Sequence, residues 1–130
     1  MMIPPMLAAA PEFEHVTSLL DVGTGVGWLA IAAANLWPSA TVVGVDVWQP
    51  ALERARTNVK EAGLDDRITL RNQDVTALDD VDAYDCAWVP TFFIPEDALP
   101  AGLERIARSV RPGGWIVLGR FEPPPSPPSC

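Results

Sequence analysis

A chain of 130 residues suits one domain, and a 48 % apolar content is enough to build its core. The formal net charge is −8, and the 9 basic residues are scattered with no basic run. That argues against a protein that tracks phosphate backbones or sits on an anionic membrane, since both need clustered Lys and Arg. The opening "MMIPPMLAAAP" lacks the positive n-region of a signal peptide, and no stretch nears the roughly 18 apolar residues of a membrane helix. Cys86 lies in an apolar run and reads as a small buried hydrophobe, while Cys130 is the last residue. A disulfide between them is not expected, which points to a reducing compartment and a cytoplasmic protein.

Residues 1–17 read as irregular, with a helical turn near Glu12 to His15. Strand and helix patterns then alternate. "SLLDV" (18–22) is a short apolar run, read as a buried strand, and residues 26–37 follow as a helix with Leu29, Ala33 and Leu36 on one face, stopped by Pro38. "TVVGVD" (41–46) is a second buried strand. Residues 50–63 form a helix with Pro50 in its first turn, Gly63 at its end, and Leu52, Ala55, Val59 and Ala62 along one side.

"RITL" (67–70) is a third strand, and residues 72–83 form a polar, acidic connection. "DCAWV" (85–89) is a fourth strand, started by Asp85. A helix over 96–110 shows Leu103, Ile106, Ala107 and Val110 as its apolar stripe. "RPGG" (111–114) reads as a turn, and "WIVLGR" (115–120) as a fifth strand. The proline-rich residues 122–130 are expected to be a disordered tail. The domain is therefore placed at 18–121, as an α/β fold with a parallel sheet and right-handed crossovers. Such sheets take ligands outside the carboxyl ends of their strands, near the topological switch point.

Three acids stand at strand ends: Asp21, Asp46 and Asp74. Between the first strand and helix, Gly23, Gly25 and Gly27 recur at every second position in "LLDVGTGVGWLA". Glycines there allow a tight turn and close approach of a ligand to the backbone. The dinucleotide fingerprint is G-x-G-x-x-G, with a pyrophosphate on the helix N-terminus. Here the spacing is G-x-G-x-G, and Trp28 stands where that pattern has its last glycine. Asp21, just before the loop, would repel a pyrophosphate and attract a cation. The pattern suits a nucleoside with a positively charged end, such as S-adenosyl-L-methionine.

At this point the sequence resembles the class I S-adenosylmethionine-dependent methyltransferases. The matching segments are "LLDVGTGVGWLA", "VVGVDVW", "NQDV", "YDCAWVP" and "RPGGWIVLG", in the family's order over about residues 18–120. The resemblance implies a Rossmann-like doubly wound sheet of about five strands in order 3-2-1-4-5, here without the family's terminal antiparallel strands or the helices before strand one. On that expectation the acceptor half is cut away, and strand 115–120 is an exposed apolar edge open to self-association or a partner chain.

The resemblance also implies site roles. Asp21 and the backbone of Gly23 and Gly25 would hold the methionine part of the cofactor, Asp21 through water on its ammonium, and Thr24 and Gly27 belong to the same cofactor-binding set. Asp46 would accept from both ribose hydroxyls, with Val47 and Trp48 packing on the adenine. Asp74 and the Val75 amide would meet the adenine edge, and Val89 would complete the cofactor set. Each charge-assisted hydrogen bond would contribute roughly 1.5–3 kcal/mol.

Other readings of single residues stay open. Trp28 and Trp48 can equally be core, Asp74 a turn cap, and Phe92 and Phe93 either pocket walls or loop packing. His15, the only histidine, is expected to be exposed and inert.

Methyl transfer from a sulfonium needs alignment and a dry site more than a base, so no catalytic residue is assigned. No metal-spaced His/Cys cluster is visible. The family's adenine- and cytosine-amino-methylating branches carry Asn/Asp-Pro-Pro-aromatic after strand four. Val89 precedes Pro90 here, which disfavours those branches. The acidic charge suggests a small-molecule acceptor and no nucleic-acid partner. Two alternatives to an active methyltransferase remain: an inactive cofactor-binding or interaction module, and a dinucleotide oxidoreductase, against which Trp28 and Asp21 speak.

Overall fold

The computed structural model describes residues 15–120. The helical turn near Glu12, the 122–130 tail and Cys130 lie outside them. In chain order the elements are β1 (Ser18–Val22), α1 (Trp28–Leu36), β2 (Thr41–Asp46), α2 (Gln49–Glu61), β3 (Ile68–Asn72), β4 (Tyr84–Pro90), α3 (Leu99–Ser109) and β5 (Val110–Gly119). Short 3-10 turns stand at Val75–Ala77 and Thr91–Phe93. The five strands form one sheet in the order β3-β2-β1-β4-β5, every neighbouring pair parallel. The chain order reverses between β1 and β4, so the switch point lies beyond the end of β1.

Both faces of the sheet are covered, which is why its inner strands are apolar without alternation. On one face Leu19, Val42 and Cys86 pack against Ala30, Ile31, Ala33 and Ala34 of α1 and Val59 of α2. The alanines of α1 let its backbone sit close to the strands. On the other face Leu20, Val22, Val45, Ala87 and Val89 pack against Ile106 and Leu103 of α3. Burial pushes the Cys86 thiol up to about 12, with Asp85 adding to the shift, so it is inert packing as expected.

Four expectations are corrected. Leu36 is 44 % exposed: α1 ends there, and Trp37, 5 % exposed, turns into the core instead. Ala62 is the exposed cap of α2, and Leu64 takes the core position beyond Gly63. Ala107 faces solvent, while Gly102, Ile106 and Ser109 face inward, the Ser109 hydroxyl satisfied by donating to the Ile106 carbonyl at 2.6 Å. Residues 111–114 are not a turn before β5 but an irregularity inside it, where the ladder jumps from Tyr84–Val110 to Cys86–Trp115. Gly113, at φ 84, absorbs the extra backbone.

Beyond β5 no further strand pairs among the described residues, and Trp115, Ile116 and Leu118 are 46 %, 36 % and 47 % exposed. The acidic crossover is held by a polar knot. The Asp80 carboxylate takes two bonds from Arg71 at 3.0 and 3.1 Å and the Tyr84 hydroxyl. Asp85, the second residue of β4, ties the strand starts together. It accepts from the Thr17 amide and hydroxyl and the Ser18 amide, and pairs with Arg111 at 2.9 Å. Burial pushes its carboxyl up, but these donors and Arg111 outweigh that and hold it low.

α1 has no basic residue in its last turn. Arg67, just before β3, supplies the missing cation. Its Nη2 donates to the Ala34, Trp37 and Ala40 carbonyls at 2.8, 2.8 and 2.9 Å, and its Nε to Ala40 at 3.1 Å. A guanidinium at the negative end of a helix satisfies orphan carbonyls and the dipole together. Arg67→Met is expected to lower the unfolding free energy by about 2–4 kcal/mol in urea titration. Arg67→Lys should recover only part, because an ammonium lacks the planar fork. A loss under about 0.5 kcal/mol would show that water replaces the guanidinium at no cost.

Candidate functional site

At the end of β1 the chain must turn sharply to start α1. Gly23, Gly25 and Gly27 all take the left-handed region, at φ 69, 57 and 88, which side chains disfavour. Gly27 also has a packing reason: a Cβ there would stand 3.3 Å from Ala55 of α2. The turn is closed by its own amides. Gly23 and Thr24 both donate to the Val45 carbonyl, at 2.8 and 3.0 Å, and Gly27 donates to Thr24 at 2.9 Å. The Gly25 amide donates to Oδ2 of Asp46 at 2.9 Å. From α2, the amide of Asn58 donates to the Val26 carbonyl at 3.0 Å.

Beside this turn lies a cleft of about 450 Å³, large enough for a nucleoside-sized ligand. It is bounded by the turn, the ends of β2 and β3, and the loop after β4. Of the residues expected at the site, Gly23, Gly25, Asp46, Val47, Trp48, Asp74 and Val75 line it. Asp21, Thr24, Gly27 and Val89 do not. Asp21 and Thr24 lie buried behind the turn, at 2 % and 6 % exposure, Gly27 caps α1, and Val89 is wholly core. Val22, Val45, Ala51, Gln73, Ile94 and Ala98 also line the cleft and carry no signal that sets them apart from ordinary core or loop residues. Asn58 was legible in principle, as a polar residue on the inward face of α2 between Ala55 and Val59.

The two cleft carboxylates are oriented differently. Asp46 accepts from the Gly25 amide on Oδ2 and from the Trp48 amide, at 3.0 Å, on Oδ1. One bond per oxygen leaves each with a further lone pair, so the group can still accept two hydroxyls side by side. Asp74 is the cap of the short turn at Val75–Ala77: its Oδ1 accepts both the amide and the hydroxyl of Thr76, at 2.9 and 2.8 Å. The Thr76 amide and then its hydroxyl hold the Asp74 carboxyl below the usual range. The cap reading of Asp74 is thus correct, and its Oδ2 remains open for a donor in the cleft.

Asp21 is in the opposite condition. Burial pushes its carboxyl up to about 7, the Thr24 hydroxyl at 2.8 Å pulls it down, and Asp46 pushes it up again.

Trp28 and Trp48 are 47 % and 65 % exposed, so neither is core. Trp48 lines the cleft, together with Val47, itself 62 % exposed. Phe93 also lines it and, with Pro90, stands 3.7 Å from where a Gly23 side chain would be. Phe92 packs against Phe93 with the rings tilted 45° and their centres 4.7 Å apart. His15 is exposed, near Asp85 and Arg111 at the other end of the sheet.

A pyrophosphate fits this cleft poorly. Among the described residues no Lys, Arg or His lines it, two carboxylates do, and the amides of Gly23, Thr24, Gly25 and Gly27 are all taken. A nucleoside with a cationic end fits: apolar walls for the base, a two-oxygen acceptor for a diol, and negative charge beyond.

Comparison with known proteins agrees on the cofactor and corrects the acceptor. Among curated relatives, the ribosomal protein uL3 glutamine methyltransferase of Bradyrhizobium diazoefficiens is 49 % identical over 72 residues, 53 % of this chain and 23 % of its own. The tRNA1(Val) (adenine(37)-N6)-methyltransferase of Vibrio campbellii is 39 % identical over 70 residues, 54 % of this chain and 29 % of its own. The U6 snRNA (guanine-N(2))-methyltransferase THUMPD2 of Mus musculus is 32 % identical over 118 residues, 86 % of this chain and 22 % of its own. The chain thus spans less than a third of each.

Relatives that act on a ribosomal protein, a tRNA and an snRNA overturn the expectation of a small-molecule acceptor and no nucleic acid. Net charge misleads here because a chain spanning less than a third of these relatives need not share the surface with which they meet their acceptors. Among solved structures, the S-adenosylmethionine-dependent methyltransferase SibL superposes with a TM-score of 0.73 at 32 % identity, over 88 % of this chain and 34 % of its own. The [4+2]-cyclase SpnF superposes at 0.78 and 25 % identity, over 88 % of this chain and 42 % of its own, so the fold alone does not fix the reaction. No helix of the described residues is long and apolar enough to cross a membrane. A family model described as a methyltransferase domain matches residues 19–114, and with the sheet order this places the chain in the class I S-adenosylmethionine-dependent methyltransferase family.

Proposed function

We propose that this chain binds S-adenosyl-L-methionine in the 450 Å³ cleft and presents it for methyl transfer to a basic protein. The observation that carries the cofactor pose is the double engagement of Asp46, which leaves one lone pair on each oxygen for a ribose diol. Val47 and Trp48 offer exposed apolar surface for the base, and Oδ2 of Asp74 accepts from its amino group. The cationic end then lies over Gly23 and Gly25, where the absence of side chains allows close approach and Asp21 supplies negative charge from behind. Bound there, the cofactor supplies an electrophilic methyl on a good leaving group. The chain's own part is to hold it beside Pro90 and Phe93 and keep water out.

For the acceptor, support comes from the loop after β4 and from the relatives. Phe92 and Phe93 are 54 % and 68 % exposed, and Glu96 and Asp97 beside them are exposed too. Aromatic faces and acids together attract Lys- and Arg-bearing segments. The relative named for ribosomal protein uL3 supports a protein acceptor.

Calorimetry is expected to show saturable binding of S-adenosyl-L-methionine and none of NAD, with Asp46→Ala weakening the former by about tenfold or more, the equivalent of one lost charge-assisted hydrogen bond. Binding of NAD alone would remove the cofactor assignment.

With labelled methyl donor, label is expected in ribosomal protein uL3 and to fall when Phe93→Ala, Glu96→Gln and Asp97→Asn are combined. Label in RNA alone, or in neither substrate, would overturn the acceptor class.

A further inference from the structure

Thr24 is the one side chain in the glycine turn that does not face the cleft, yet it is among the most constrained residues there. Its amide is fixed on the Val45 carbonyl at 3.0 Å. Its side chain lies over Gly44 of β2, where a Cβ would stand 2.6 Å from the hydroxyl oxygen and 2.8 Å from the Thr24 Cβ. Gly44 is therefore the gap in β2 that admits the Thr24 side chain. So seated, the hydroxyl donates to Oδ2 of Asp21 at 2.8 Å, the only hydrogen bond that side chain accepts among the described residues.

Asp21 needs that bond. It is 2 % exposed, and among the described residues no cation acts on it. In the sheet its register partners are Gly44 on β2 and the uncharged Trp88 on β4. α1 turns Ala30, Ile31, Ala33 and Ala34 inward, and α2 turns Ala51, Leu52, Ala55, Asn58 and Val59. The one charged group acting on it is Asp46, of the same sign. A buried carboxylate with a single donor and a like charge nearby is poised to take up a proton, and a neutral acid would no longer attract a cation.

We propose that Thr24 is a positioning residue for the charged end of the cofactor: seated in the Gly44 gap, its hydroxyl keeps Asp21 an oriented carboxylate behind the glycine turn. The inference rests on the cofactor pose proposed above. Thr24 touches no ligand itself and acts through Asp21.

The sign follows from linkage. The ionised form of Asp21 favours a cationic ligand, so affinity for S-adenosyl-L-methionine rises with pH through about 7, where burial has moved the carboxyl. Removing the Thr24 donor raises that midpoint further. Below both midpoints the variant binds more weakly, and well above them it matches the wild type. The ligand's own amine titrates identically in both proteins and cancels in their ratio.

The test compares wild type, Thr24→Val and Thr24→Ser by calorimetry from pH 6 to 8.5, with S-adenosyl-L-methionine and with 5′-methylthioadenosine, the same nucleoside without charge. Thr24→Val is expected to bind S-adenosyl-L-methionine about tenfold more weakly at pH 6, a deficit that narrows as pH rises, the size expected for one lost hydrogen bond to a charged group. Thr24→Ser keeps the hydroxyl and should restore the wild-type profile, and methylthioadenosine should bind all three alike. An equal loss for both ligands, or a deficit independent of pH, would reduce Thr24 to structural packing and overturn the proposal. Should Thr24→Val bind neither ligand, Asp21→Asn decides: it must keep methylthioadenosine and lose the rise of S-adenosyl-L-methionine affinity with pH, so that its ratio to the wild type falls as pH increases through about 7, and a ratio independent of pH overturns the proposal. Failure of the wild type to bind either ligand would instead sink the cofactor pose.

Discussion

The Val45 carbonyl accepts two amides at once, from Gly23 and from Thr24, and the site is arranged around that junction. It pins the turn after β1 to the end of β2, which brings the Gly25 amide to the Asp46 carboxylate. The glycines make the left-handed backbone affordable, but the hydrogen bonds select the conformation. Asn58, holding the Val26 carbonyl from α2, closes the far side. Cleft and turn are thus one hydrogen-bonded unit at the switch point of the sheet.

Electrostatics then chooses among the ligands such a turn can hold. A turn with free amides and a nearby Lys or Arg would welcome phosphate. Here the four amides are committed internally and the local charge is negative, from Asp46 and Asp74 in the cleft and Asp21 behind it. Glycine spacing and the side chain at position 28 are the sequence trace of that choice. SpnF, a cyclase on the same fold, shows how little the fold itself would have said.

Much of the architecture was legible because it rests on local rules. β1 and β2 fall where their apolar runs are, Pro38 and Gly63 bracket the helices, and the parallel order follows from alternation. The failures are tertiary. Leu36 and Trp37 exchange roles because the core, not the helical period, decides which is covered, and the "RPGG" turn signal became a bulge because β4 offered it a ladder. In the site, Asp46 and Asp74 were readable from strand ends, whereas Asn58, and the shelter Gly44 gives Thr24, depend on distances between elements that no local pattern encodes. The acceptor was misread because net charge averages over the chain, while recognition depends on a surface.

A turn with four of its amides bonded before any ligand arrives is already held in one conformation. The conformational entropy of ordering it is lost once, when the chain folds, and not again at each encounter. A ligand can then enter and leave over a backbone that does not rearrange, past the exposed rings of Phe92 and Phe93.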